Sequence, residues 1–233
     1  MPVVLSNSQS GLAASQRLRV AYLLAAVGGY LDAYTYFERG GVFANAQTGN
    51  IVKLGIALAN GARDTYRFYL IPIGAFVSGL VTSLAIKRIL ERRGIRFVRR
   101  SVLAIEAAAL VVVGLIPLGT DWDIVANSIV SFVAALQYET FTSFRGDVIV
   151  TTMSTGNLRK MVDSLFSGLV DGERQELVRS IRYLSIICTF AFGAYMGTLV
   201  CNAYGSWAVL PAILMLLVAI LTITVLRRRR GLR

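Results

Sequence analysis

Two carboxylates, Asp32 and Glu139, lie inside apolar stretches, and a shift of 107 residues carries one onto the other. The same shift superimposes Thr48-Gly49-Asn50 on Thr155-Gly156-Asn157 and Lys53 on Lys160, with no gap from residue 30 to residue 61. An acid at the centre of a membrane helix costs about 2.5–3.5 kcal/mol, so two at repeat-related positions demand a reason. One reading is a pair of carboxylates that bind a cation or a proton, or hold a gate. The other is structural: an ion pair with Lys53 or Lys160, or an acceptor for backbone N–H groups of a nearby loop. The residues alone leave both open.

The repeated tripeptide adds its own chemistry. Thr48 and Thr155 suit helix N-caps, and Gly49 and Gly156 allow a close approach of backbone. Asn is a mediocre residue inside a helix, so Asn50 and Asn157 point to another task, donating to a passing solute or to the opposite half. Lys53 and Lys160 stand one turn into the same helices, where the positive dipole end disfavours them. An anion site or a pairing with Asp32 and Glu139 would explain them. Gln47 before the first tripeptide and Met153-Ser154 before the second break the symmetry.

The elements that hold these residues belong to a membrane protein. The chain is 55% hydrophobic and 16% charged, with a mean hydropathy of +0.63, whereas soluble domains carry about 25% charged residues. Apolar segments at about 20–37, 68–87, 101–119, 122–144, 179–201 and 206–226 approach the length that crosses roughly 30 Å of hydrocarbon. Two shorter elements, about 48–60 and 155–168, follow the tripeptides; a helix of 13 residues reaches only about 20 Å. The connection from Lys87 to Arg100 holds seven basic residues, and the tail Arg227 to Arg230 four more. Both belong on the cytoplasmic side. Six crossings with both termini cytoplasmic satisfy this charge pattern, although Arg63 and Arg67 then face outward. Three crossings per half make the second copy inverted. The expected fold is all-α: a polytopic bundle of six transmembrane helices in two inverted repeats, each with a short re-entrant helix at Thr-Gly-Asn. Its parts are a polar cytoplasmic N-terminus (1–19), a first membrane repeat (20–119), a second (120–226) and a basic tail (227–233).

Gly74 to Gly79 and Gly193 to Gly197 form a third matched pair at a shift near 119, read as close helix packing. Glu106 is expected to snorkel toward the cytoplasmic end of its span. The net charge of +11 sits mainly in clusters beside apolar runs, which suits anionic lipid headgroups rather than nucleic acid. With no His and only Cys188 and Cys201, neither a metal site nor a cofactor is expected.

The stretch Gly28-Gly29-Tyr30-Leu31-Asp32-Ala33-Tyr34-Thr35-Tyr36, followed by Val42 to Gln47 and Thr48-Gly49-Asn50, resembles the YoaK-type family of bacterial membrane proteins. Phe190 to Ala194 is similar to that family as well. The resemblance implies a multi-pass protein of the bacterial inner membrane with a domain of unknown function, and it carries no substrate. Function therefore rests on the residues. The first expectation is a small-solute transporter or channel whose path is lined by Asp32, Thr48, Asn50, Lys53, Glu139, Thr155, Asn157 and Lys160. A membrane-embedded enzyme of small-molecule or lipid metabolism, or a non-transporting accessory protein, are the alternatives. Expected partners are the bilayer, anionic headgroups and a small solute; self-association is an option left open.

Overall fold

The computed structural model describes residues 3–62, 65–93, 99–144 and 147–231; for 3–17, 143, 144, 206 and 226–231 it describes the backbone alone. The fold is all-helical. Its helices are α1 (Val3–Glu38), α2 (Gln47–Ala59), α3 (Arg67–Arg92), α4 (Arg99–Leu115), α5 (Thr120–Thr140), α6 (Thr155–Val170), α7 (Arg174–Tyr204) and α8 (Leu210–Gly231). A two-residue hairpin, β1 (Ser143–Phe144) against β2 (Asp147–Val148), follows α5, and a 3-10 turn (Gly205–Val209) precedes α8. The polar N-terminus is not separate from the first apolar run: α1 extends back to Val3. Residues 12–19 include Leu, Ala, Gln and Arg, good helix formers that let an existing helix propagate.

Two parallel helix pairs form the body. α1 runs alongside α7, with Gly193 against Ala26 and Gly197 against Tyr30 and Ala33. α3 runs alongside α5, tied by Arg67–Asp121 (3.0 Å) at one end and Lys87–Glu139 (3.2 Å) at the other. α4 and α8 pack antiparallel, Arg100 reaching Thr224 and Gly114 facing Val209. The two parallel crossings are close because glycines make them. A Cβ on Gly29 would stand 1.9 Å from the Phe190 carbonyl oxygen, one on Gly193 2.2 Å from that of Ala26, and one on Gly79 2.5 Å from that of Phe132. This packing matches Phe76 and Gly79 with Phe190 and Gly193, a few residues away from the register expected from sequence. Gly74 meets nothing within 4 Å. The short helices flank the pairs, α2 on α3 and α6 on α7, where the Ser180 hydroxyl donates to the Met161 carbonyl (2.8 Å).

Polarity is turned inside out. Asp32, Arg39, Asn50, Glu106, Asn127, Gln137 and Asn157 are buried, whereas Val81, Leu115, Phe166, Leu169, Ile181, Leu214 and Leu221 are exposed. Apolar side chains face outward where hydrocarbon replaces water, and polar ones are kept where protein can satisfy them. Three helical segments are long and apolar enough to cross a membrane, Arg67–Arg92, Arg174–Tyr204 and Trp207–Val225. The protein is thus membrane-associated. The expected spans 20–37 and 122–144 are diluted by the buried Asp32, Thr35, Asn127, Ser131 and Gln137, and α4 is described over only 17 residues. The second of these segments also ends early, α5 stopping at Thr140 before the hairpin. Residues 63, 64 and 94–98 of the expected loops, and the side chains of the basic tail, lie outside the described residues.

Gly193→Leu should lower the thermal unfolding midpoint in detergent, since overpacking costs about 1–3 kcal/mol or more. Gly74→Leu, with open space at its Cβ, should leave the midpoint nearly unchanged.

Candidate functional site

Two largely irregular segments enter the body, residues 39–46 before α2 and, with the short hairpin, residues 141–144 and 147–154 before α6. An unwound backbone there leaves N–H and C=O groups that apolar surroundings cannot satisfy. Asn50 answers this in the first loop: its Oδ1 accepts the Phe43 N–H (2.9 Å) and its Nδ2 donates to the Phe43 carbonyl (2.7 Å). Asn157 does the same to Val150, also seven residues back, at 3.1 and 2.6 Å. The lysines repeat the device at longer range. Lys53 Nζ donates to the Gly41 carbonyl and Lys160 Nζ to that of Val148, each twelve residues back. Lys53 also lies over the rings of Tyr36 (4.2 Å) and Phe43 (5.0 Å), which shield its charge from an apolar face.

Thr48 and Thr155 are not caps. α2 begins at Gln47 and α6 at Thr155, neither start has a side-chain cap bond, and the asparagine clamps fix the loops instead. Gly49 does allow a tight approach, a Cβ there standing 2.9 Å from the Phe43 ring, whereas Gly156 faces open space.

Both loops converge on Gly28 in α1. Asn45 Nδ2 donates to the Gly28 carbonyl (3.0 Å), and the Asn45 N–H donates to Asp32 Oδ1 (2.7 Å). From the second loop, the Thr151 carbonyl oxygen and Thr152 Cα would lie 2.8 and 3.3 Å from any Cβ at Gly28. At this junction is a half-open pocket of about 440 Å³. Asp32, Thr48, Thr152, Ser154 and Thr155 supply its polar wall; Tyr36, Phe43 and Phe190 supply much of the rest. The Thr152 hydroxyl is buried and has no hydrogen-bond partner among the described residues.

Of the residues singled out by sequence, Asp32, Thr48 and Thr155 thus share the pocket. Asn50, Asn157, Lys53 and Lys160 hold the loops that shape it, and ion pairs of Lys53 or Lys160 with Asp32 or Glu139 are not formed among the described residues. Glu139 is half-buried and pairs with Lys87. A second, more open pocket of about 250 Å³ beside β2 contains Asp147, Lys160, Asp163 and Arg179. Asp147 there is already paired with Arg179 (2.9 Å) and Arg182.

Two residues escaped the sequence reading. Arg39, fully buried, donates to the carbonyls of Val113 (2.9 Å), Ile116 (2.9 Å) and Pro117 (2.8 Å), pairs with Asp123 (3.2 Å) and reaches the Tyr34 hydroxyl (3.1 Å). A cation at the C-terminus of α4 is well placed against the helix dipole, and the only sequence signal was a charge at the end of an apolar run. Glu106 does not snorkel. It is buried against Gln137 of α5, because α4 turns that face inward.

A family model for proteins of unknown function, DUF1275, matches residues 20–222. The chain belongs to this family. The match runs from α1 through most of α8 and so takes in both loops, both clamps and the pocket. No curated protein and no solved structure matches the chain.

Asn50→Leu and Asn157→Leu should each lower thermal stability, as every buried backbone group left unpaired costs about 1–3 kcal/mol. Arg39→Leu should cost more, about 3–5 kcal/mol, because it strands Asp123 as well as three carbonyls. Unfolding midpoints at matched detergent and lipid check the ranking.

Proposed function

We propose that this chain is a small-solute transporter or channel of the bacterial inner membrane, with six crossings, both termini cytoplasmic, and a site between two inverted halves. The pocket where the two Thr-Gly-Asn loops meet carries the reading, with Asp32, Thr48 and Thr155 on its wall. Its described lining holds one carboxyl and no basic side chain, so the guest is a neutral or cationic polar molecule. The YoaK-type resemblance agrees with a bacterial multi-pass protein.

Several features support the inverted arrangement. Exchanging α1 with α5, α2 with α6, α3 with α7 and α4 with α8 maps the main packed pairs onto one another: α1–α7 onto α3–α5, α2–α3 onto α6–α7, and α1–α8 onto α4–α5. The first loop starts at the end of the bundle that holds Arg39, Pro117 and Asp123; the second starts at the opposite end, where Asp147 meets Arg179. That second end also collects Lys87, Arg99, Arg100 and Arg182, a basic bias suited to the cytoplasmic face and its anionic headgroups. Broken backbone meeting between repeats is a recurring way to build a transport site.

An enzyme would need a second acid or base near Asp32, and the described lining offers only the Tyr36 phenol. An accessory role needs no pocket between the loops. Reconstituted protein should pass at least one small polar solute, and Asp32→Asn or Thr152→Val should change the rate; vesicles equally tight to a broad panel with and without protein would end the transport reading. In a background with Cys188 and Cys201 replaced, Ala59→Cys and Val170→Cys should label from opposite faces. Labelling from one common face would remove the inverted architecture.

A further inference from the structure

Glu106 is a buried carboxyl that neither the pocket nor an ion pair uses among the described residues. It sits on α4, 1% exposed. Its partner is the side chain of Gln137 on α5, which also reaches Thr151 in the second loop, and all three are buried. Thr151 is adjacent to Thr152, which lines the pocket.

The Gln137 amide fits between Glu106 and Thr151 in either of two orientations, and these require different partners. With its oxygen toward Glu106, the nitrogen donates to Thr151 Oγ1 (3.4 Å). Amide oxygen and carboxyl oxygen then face each other, an arrangement that is favourable only if Glu106 carries a proton and donates it. Turned over, the nitrogen donates to Glu106 Oε1 and Oε2 at 3.1 and 2.9 Å, which suits the ionised carboxylate. The amide oxygen then faces Thr151, whose hydroxyl must donate to it. Protonation of Glu106 thus reverses the chain of hydrogen bonds and frees the Thr151 hydroxyl proton to point elsewhere.

We propose that Glu106 is a proton-binding site whose occupancy is relayed, by turning over the Gln137 amide, to Thr151 in the loop that walls the pocket. This deepens the transport reading and rests on it for its purpose: the proton would be the coupling ion. The step is balanced, one proton entering or leaving Glu106 while the amide turns over and the Thr151 O–H reorients.

The surroundings leave Glu106 to set this equilibrium. From α5, Asp121 and Asp123 belong to the far end, paired with Arg67 and Arg39, and Glu139 is held by Lys87. α8 packs on α4 with buried Ala212, Ile213, Leu216 and Ala219, and the 3-10 turn with Ala208 and Val209. Arg99 and Arg100 stand earlier on α4 itself, roughly 9–10 Å along its axis at 1.5 Å per residue; Arg99 lies over the Phe141 ring and Arg100 donates to Thr224. Asp147 of the second loop is engaged by Arg179 and Arg182. Ionisable groups at such depth are costly and mark proton or ion paths.

Infrared difference spectra of the purified full chain across a pH series test proton binding without any solute. A carboxylic-acid C=O band should titrate, disappear in Glu106→Gln and move in Glu106→Asp, the second variant covering any folding defect in the first. The relay is read from Met153→Cys in the cysteine-replaced background. Its labelling rate, divided by that of a solvent-exposed reference cysteine at the same pH, should change several-fold with pH, and that change should vanish on adding Glu106→Gln or Gln137→Met. A band unaltered in both Glu106 variants, a band abolished by Asp32→Asn instead, or a labelling profile unchanged by Glu106→Gln and Gln137→Met would overturn the proposal. Absence of solute flux with the Glu106 band intact would instead remove the transport reading and leave the proton site standing.

Discussion

Broken backbone inside an apolar body must find a partner for every N–H and C=O, and the rest of this structure is arranged around that requirement. Two loops depart from helical geometry in the interior, and water is not at hand to complete their hydrogen bonds. Asn50 and Asn157 each take both polar groups of one residue seven positions back, and Lys53 and Lys160 each take a carbonyl twelve positions back. Asp32 accepts a loop N–H through the same necessity. The residues that look most like solute ligands in a linear reading are largely the fastenings of the loops. The pocket is what remains between the two loops once they are fastened.

Bringing the loops together requires helices that come unusually close. Gly29, Gly193 and Gly79 supply this, because any side chain at those positions would overlap the carbonyl of the facing helix. Without a hydrophobic drive between helices in lipid, such contact supplies much of the association energy. Arg39 secures the end of the bundle by joining α1 to the C-terminus of α4 and the start of α5. A buried cation is tolerable there because its donors are spent on three carbonyls, a carboxylate and a phenol.

The two halves are alike in their fastenings and unlike in their chemistry. Asp32 faces the pocket, while Glu139 at the matching position is drawn to Lys87. On the second loop's side Asp147 is held by Arg179 and Arg182, and Glu106 on α4 is joined to the loop through Gln137 and Thr151. The clamps repeat, while one acid lies at the pocket and another behind its wall.

Composition and periodic polarity were enough to reveal a helical membrane-associated chain, its repeated tripeptides and the approximate places of its helices, because apolar length and charge are local properties of the sequence. The small residues of Gly193 to Gly197 were likewise legible as packing. Which polar side chain meets which was not. Asn50 bonds Phe43, Gln137 bonds Glu106 and Arg39 bonds Val113 across distances that no spacing rule encodes, since each partner is chosen by how helices cross and which face α4 turns inward. Sequence placed Asp32, Thr48 and Thr155 among candidates; only the folded chain set Thr152 with them around one pocket, because the two loops meet at Gly28 where α1 and α7 pack on each other.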